Sequence, residues 1–176
     1  ASLTTNHTYF NREAHHYEHF AQHVRAGLVA RALAGDPVRI WSAACSSGEE
    51  IWTLAMVLAG TDRAQGRRIA GSAVRMLATD IAPKVLAAAA RAEYETQAIS
   101  AVPDALRTLW TTESGKTASI AAELRPMVSF RSLNLLGDWP MRRCFDVIFC
   151  RNVMIYFDQP TKERLIARLA AQLTPD

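Results

Sequence analysis

The chain has 176 residues, 49% of them hydrophobic and 21% charged, with a formal net charge of +3, which fits one globular domain over 1–176 with a core that needs no staples. Its three cysteines, Cys45, Cys144 and Cys150, are odd in number and lack C-x-x-C spacing, so a disulfide scaffold is excluded and reduced thiols are expected. No apolar stretch reaches the length of a membrane span, the start ASLTTNHTYF carries no signal segment, and the 17 arginines and 3 lysines are scattered; a soluble, cytoplasmic protein with no direct membrane insertion and no nucleic-acid partner is expected, with a weak preference for acidic partners.

Tyr17, Phe20, Val24 and Leu28 recur at three- and four-residue steps after a polar segment ending near Arg12. They predict an amphipathic helix that stops near Gly35-Asp36-Pro37. Residues 39–44 predict a short strand, then a loop of small residues, then a helix with Ile51, Leu54, Ala55 and Leu58 on one face. Strand, tight turn and helix make the first half of a parallel βαβ unit. The glycine-containing, arginine-rich stretch 60–71 reads as a connection to a second strand at 74–79. Pro83 then suits the first turn of a helix running to about Arg91. Within 93–126 the pattern is mixed, with a short helix from Pro103-Asp104 to Trp110 and a turn at Ser114-Gly115-Lys116. Residues 128–133 and 145–150 predict a third and a fourth strand, and 160–173 a helix. This alternation predicts an α/β fold with a doubly wound, mostly parallel sheet. Thr174-Pro175-Asp176 resembles a turn that leads into a further strand, so the fourth strand is expected to form an exposed edge.

Four places carry polar groups where open α/β sheets bind ligands, beyond the carboxyl ends of strands. The loop after the first strand, with Ala44, Ser46 and Ser47, lets a ligand approach the backbone. Glu49 and Glu50 at the following helix start disfavour a pyrophosphate and suit a cationic or zwitterionic ligand, so S-adenosylmethionine fits better than NAD. Alternatively Ser47 caps the helix and the glutamates complement its dipole. Asp80 ends the second strand where nucleotide-binding units hold ribose hydroxyls, or it caps the next helix. Asn134 after the third strand either reads an adenine edge or forms a turn. Arg151 and Asn152 break directly from the unalternated run Val147, Ile148, Phe149, Cys150, an address for function more than for a turn. His15, His19 and His23 share a helical face; without a metal motif they read as a solvated face.

Taken in order, TTNHTYFNREAHH (4–16), IWSAACSSGEE (40–50), LATDIAPKVL (77–86), LNLL (133–136) and FDVIFCRNVMIYF (145–157) resemble the catalytic domain of the chemotaxis receptor glutamate methyltransferases. The resemblance covers nearly the whole chain. It implies a class I, Rossmann-like fold that binds S-adenosylmethionine and its product S-adenosylhomocysteine. It also implies that Asn6, Thr8, Arg12, Ala44, Glu50, Asp80, Asn134, Leu135, Arg151 and Asn152 surround the cofactor, with Arg12 and Tyr156 beside the methyl-transfer position. The implied partners are the cytoplasmic domains of methyl-accepting chemotaxis receptors. Asn11, where the family usually has phenylalanine, and Ile51-Trp52, in place of proline-tyrosine, depart from the pattern and bear on local packing. The family's amino-terminal helical domain and final strands are expected to be missing. A competing reading is a non-catalytic module that senses S-adenosylmethionine or S-adenosylhomocysteine. A nucleic-acid methyltransferase is disfavoured, because Asn152 is followed by Val153-Met154-Ile155-Tyr156 without prolines and Cys150 is preceded by Phe149, not proline.

Overall fold

A computed structural model describes residues 8–175. Four strands, β1 (Val38–Ala43), β2 (Val74–Asp80), β6 (Val128–Ser132) and β7 (Val147–Cys150), form a wholly parallel sheet in the order β6-β2-β1-β7. The chain winds outward from β1 through β2 to β6, then returns to the other side of β1 as β7. That reversal leaves a crevice beyond the carboxyl ends of β1 and β7, where ligands of such sheets bind.

Period-two alternation sends the residues of each strand to opposite faces. Val38 and Ile40 of β1, Val74, Met76 and Ala78 of β2, and Val147 and Phe149 of β7 join one core, with Phe20, Ile51, Leu54 and Leu58. Trp41, Ala43, Leu77, Ile148 and Cys150 face the other way, toward Leu165 and Leu169. The first face is covered by α1 (Ala14–His19), α2 (Arg25–Leu33) and α3 (Glu49–Ala59), the second by α8 (Gln159–Ala171). Fully buried side chains such as Ile40 and Leu54 each contribute about 1.5–3 kcal/mol by leaving water. The buried indoles also satisfy their N–H groups: Trp41 donates to Thr79 Oγ1 at 2.9 Å, Trp52 to the Ala89 carbonyl at 3.0 Å and Trp110 to the Gly60 carbonyl at 2.8 Å.

The expected first helix is present with an added feature. A five-residue π turn, Phe20–Val24, joins α1 to α2. This wider turn re-phases the buried stripe, which passes from Tyr17 and Phe20 to Leu28, Val29 and Ala32. Arg25, at the start of α2, donates to the Val57, Leu58 and Ala59 carbonyls at the open end of α3. Those are the orphan acceptors that a helix end leaves.

The sequence reading needs two corrections. Residues 60–71 are not merely a connection: Arg63–Ala70 form helix α4, whose N-cap Asp62 accepts from the Gln65 amide at 2.7 Å. Apolar periodicity misses it because Ile69 and Gly66 are its buried residues among arginines and glutamine. Second, the mixed region is an organised insertion. After α5 (Pro83–Arg91), β3 (Glu93–Glu95), β4 (Thr111–Ser114) and β5 (Thr117–Ile120) form an antiparallel sheet in the order β3-β5-β4, with α6 (Thr96–Ile99) and α7 (Asp104–Trp110) between its strands. The expected turn at Ser114-Gly115-Lys116 joins β4 to β5. Ala118 and Ile120 bring this sheet into the main core.

Candidate functional site

Four loops at the carboxyl edge of the sheet, together with residues from the segment before α1, enclose a cavity of about 370 Å³. Every candidate residue within the described range lines it: Thr8 and Arg12 ahead of α1, Ala44 and Glu50 after β1, Asp80 at the end of β2, Asn134 and Leu135 after β6, and Arg151, Asn152 and Tyr156 after β7. Asn6 lies outside the described residues. Cys45, Ser46, Ile81, Leu136 and Val153 also contribute to the wall. The apolar ones were not singled out by sequence, because an apolar residue just past a strand carries no signal separating cavity wall from core.

The loop after β1 is shaped by backbone geometry. Ala44 and Ser46 adopt φ of 61° and 51°, and Gly48 adopts 97°, in the left-handed region that costs side-chain-bearing residues about 1 kcal/mol or more. Gly48 is required twice over, since a Cβ there would sit 2.8 Å from both Ala89 Cβ and the Tyr94 hydroxyl. Gly48, not Ser47, is the N-cap of α3; the Ser47 hydroxyl donates to the Glu49 carboxylate at 2.6 Å. The capping role considered for Ser47 is therefore not the one it plays.

Asp80 fixes this loop from the neighbouring strand. Its Oδ2 accepts from the Ser46 amide at 2.9 Å and its Oδ1 from the Ala82 amide at 3.0 Å, just ahead of α5. A carboxylate retains further lone pairs for a ligand. Beside it, the Ser46 hydroxyl is buried without a hydrogen-bond partner among the described residues, a cost that a polar ligand group would relieve.

Of the two glutamates only Glu50 reaches the cavity; Glu49 is buried against Ser47. Glu50 accepts from the Ser42 hydroxyl at 2.7 Å and from Arg151 Nε at 2.7 Å. Burial pushes its carboxyl above the ordinary range, while Arg151 and Ser42 oppose that by holding the charged form. Arg151 is the hub of the wall. Besides Glu50, its Nη1 donates to the Arg12 carbonyl at 2.9 Å and approaches His16 Nδ1 at 2.9 Å, and its Nη2 donates to the Tyr17 hydroxyl at 2.7 Å. It also lies over the Tyr17 ring, 4.9 Å from the centroid. Tyr17 was expected only as a core-facing helical residue and His16 not at all.

At the mouth, Tyr156 sits in a short 3-10 turn, Met154–Tyr156, and is 46% exposed; it is not a core aromatic. Arg12 lies 5.6 Å from the Tyr9 ring centroid, and the Glu13 carboxylate lies 3.4 Å from Arg151 Nη1. Asn134 Oδ1 accepts from the Leu136 amide at 3.0 Å, so the turn-forming role is real and coexists with a place in the wall. Asn152 holds φ at 61°, turning the chain across the cavity directly after β7. His15, His19 and His23 are exposed, and no cluster able to hold a metal ion occurs among the described residues. Nor is any described helix long and apolar enough to cross a membrane.

The residues present suit a zwitterionic, nucleoside-bearing ligand: an unsatisfied hydroxyl at Ser46, a fixed carboxylate at Asp80, and an apolar lining from Ile81, Leu133 and Leu136. Curated proteins resemble the chain throughout its length. A probable chemotaxis protein methyltransferase of Rhizobium etli is 40% identical over 175 residues, 97% of this chain and 64% of its own. Chemotaxis protein methyltransferase 2 of Pseudomonas aeruginosa is 39% identical over 99% of this chain and 61% of its own length. The chemotaxis protein methyltransferase of Escherichia coli is 39% identical over 99% of this chain and 59% of its own. The chain thus spans about three fifths of these relatives. Residues 6–176 match the family model for the S-adenosylmethionine-binding domain of CheR methyltransferases, and the chain belongs to that family.

Proposed function

We propose that this chain is the catalytic part of a protein-glutamate O-methyltransferase that uses S-adenosylmethionine to methylate glutamate side chains in the cytoplasmic domains of chemotaxis receptors. The observation that carries this reading is the convergence of polar groups from separate strand ends on one cavity whose mouth holds Arg12 and Tyr156. The family membership and the names of the relatives support it.

When bound, S-adenosylmethionine supplies a methyl group activated by a positively charged sulfur. The chain's own task is small in number of steps. A glutamate carboxylate is ionised near pH 7, so no general base is needed to make it a nucleophile. Forming the carbon–oxygen bond while the carbon–sulfur bond breaks asks for alignment and removal of water from the carboxylate. Arg12 supplies a charge-bearing fork that suits a carboxylate, and Tyr156 supplies a hydroxyl at the exposed rim. Also in the wall, Glu50 and Asp80 would balance a cationic ligand, and Asn134 and Leu135 would meet its nucleoside.

The test is transfer of labelled methyl groups from S-adenosylmethionine to a receptor cytoplasmic fragment, with recovery of label as a base-labile ester. Label lost when the receptor glutamates are replaced by glutamine supports the reading. Tight S-adenosylhomocysteine binding with no transfer to any receptor fragment would overturn it in favour of a sensing module.

A further inference from the structure

The Arg151 guanidinium is held in the cavity wall by acceptors from three parts of the chain. Its Nε meets Glu50 of α3, Nη2 meets Tyr17 of α1, and Nη1 is shared between the Arg12 carbonyl and His16 Nδ1, both at 2.9 Å. An arginine has only donors and does not give up its proton in a protein. The 2.9 Å contact therefore fixes the histidine: Nδ1 presents its lone pair, and the ring is neutral with its proton on Nε2. A protonated ring would set N–H against N–H and one cation against another.

We infer that His16 is a positioning residue for Arg151, and that ligand affinity at this cavity falls when His16 takes up a proton. The inference rests on the cofactor-binding reading of the cavity and adds a residue and a pH dependence to it. Glu13 makes the arrangement two-way. Its carboxylate lies 3.5 Å from His16 Nδ1 and 3.4 Å from Arg151 Nη1, so a protonated His16 draws Glu13 to itself while it repels the guanidinium. Arg151 then loses two of its acceptors in one event, and the buried Glu50 carboxylate loses a firmly placed partner.

The other groups facing His16 favour the neutral ring. His15, with its ring centroid 4.2 Å away, and His19 lie on the same helix, and Arg151 approaches from the loop after β7. Partial burial first, then Arg151, lower the His16 pKa below its ordinary 6.5, with Glu13 pulling the other way. Neutral His16 thus prevails at pH 7, and the site loosens as pH falls below the ordinary imidazole range. If the ligand binds the neutral form, affinity drops by at most about tenfold per pH unit once the pH is under that pKa.

The experiment is calorimetric titration of the chain with S-adenosylhomocysteine from pH 7.5 to 5.5, comparing wild type with His16→Asn and His16→Ala. An asparagine offers a neutral acceptor close to the Nδ1 position and has no proton to gain. The expected result is a wild-type affinity that falls with pH, an Asn variant that binds at pH 7.5 and lacks that fall, and an Ala variant weakened at every pH. Should one variant not fold, the wild type still decides: the proton released on binding, seen as a dependence of the heat on buffer ionisation enthalpy, must be near zero at pH 7.5 and grow toward pH 5.5. The same pH profile in His16→Asn, or a proton release that does not rise between pH 7.5 and 5.5, overturns the inference. No binding by wild type at pH 7.5 removes the cofactor reading itself, a separate outcome.

Discussion

Arg151 and Glu50 form a pair whose side chains are only 12% and 11% exposed, and removing one half of such a pair strands a charge in a poorly hydrated place. Arg151→Ala is expected to destabilise the chain by about 3 kcal/mol, measured by urea denaturation, while Ser42→Ala costs less because Arg151 still holds Glu50. Arg12→Ala behaves differently. The carbonyl that Arg151 uses belongs to the backbone and survives the change, so the melt should shift little while methyl transfer falls by about 100-fold or more through misplaced reactants. Arg12→Lys should rescue poorly, since an ammonium lacks the planar fork; near-normal transfer in Arg12→Ala would take this residue out of the site. Thiol chemistry gives a third residue-scale test. Burial, then Glu50, push the Cys150 thiol up to about 12, and burial with Asp80 and Glu50 pushes Cys45 higher still. Both are therefore protonated at pH 8 and poorly nucleophilic. Alkylation read by mass spectrometry should spare both in the folded chain and reach them in urea; prompt labelling of Cys45 without denaturant would contradict its placement.

Helix α4 tests whether packing or propensity governs an element. A glycine-to-alanine change inside a helix ordinarily gains about 1 kcal/mol. At Gly66 an added Cβ would lie 2.3 Å from Trp110 Cζ2, against an indole that is fully buried and hydrogen-bonded to Gly60. Gly66→Ala is expected to destabilise, by about 1–3 kcal/mol as overpacking does, seen as an earlier thermal midpoint. Strand β7 makes the second element-scale prediction. On its inner side it pairs with β1; on its outer side, among the described residues, only a bridge from Phe145 to Leu173 covers its approach. Val147 to Cys150 therefore offer unpaired backbone groups on an apolar strand, a template for association. Light scattering of this chain should show a mass that grows with concentration, and a constant monomer mass would mean that the edge is protected.

For the molecule as a whole, a ligand that bridges four strand ends stabilises every element that feeds the cavity. At a hundredfold excess over its dissociation constant, S-adenosylhomocysteine should add about 2.7 kcal/mol of stability, or roughly 5–10 °C in melting temperature for a domain of this size. NAD should not, since its pyrophosphate would face Glu50 and Asp80. A shift with NAD and none with S-adenosylhomocysteine would reassign the cavity.

The sequence by itself determined the parallel sheet. The unalternated apolar run Val147–Cys150 is what a doubly covered strand requires, and although β1, β2 and β6 carry polar residues among their apolar ones, all four strands fall where short β-prone segments alternate with helical ones. It also marked the polar residues that follow each strand, because a charged or amide side chain stands out against such a run; Arg151 and Asn152 are legible for that reason. It showed the short helix ending at Trp110 but not α4 or the antiparallel sheet, whose short elements carry little periodicity and are fixed by contacts distant in sequence such as Trp110 to Gly60. Only the tertiary structure decided how the marked residues are used. That Glu50 shares its charge with Arg151 while Glu49 turns into the core depends on one residue's rotation about α3. That His16 and Tyr17 reach across 135 and 134 residues to the same guanidinium depends on how α1 packs against the sheet. Local periodicity specifies which face of a helix is apolar; which polar group from a distant segment meets it is fixed by packing alone.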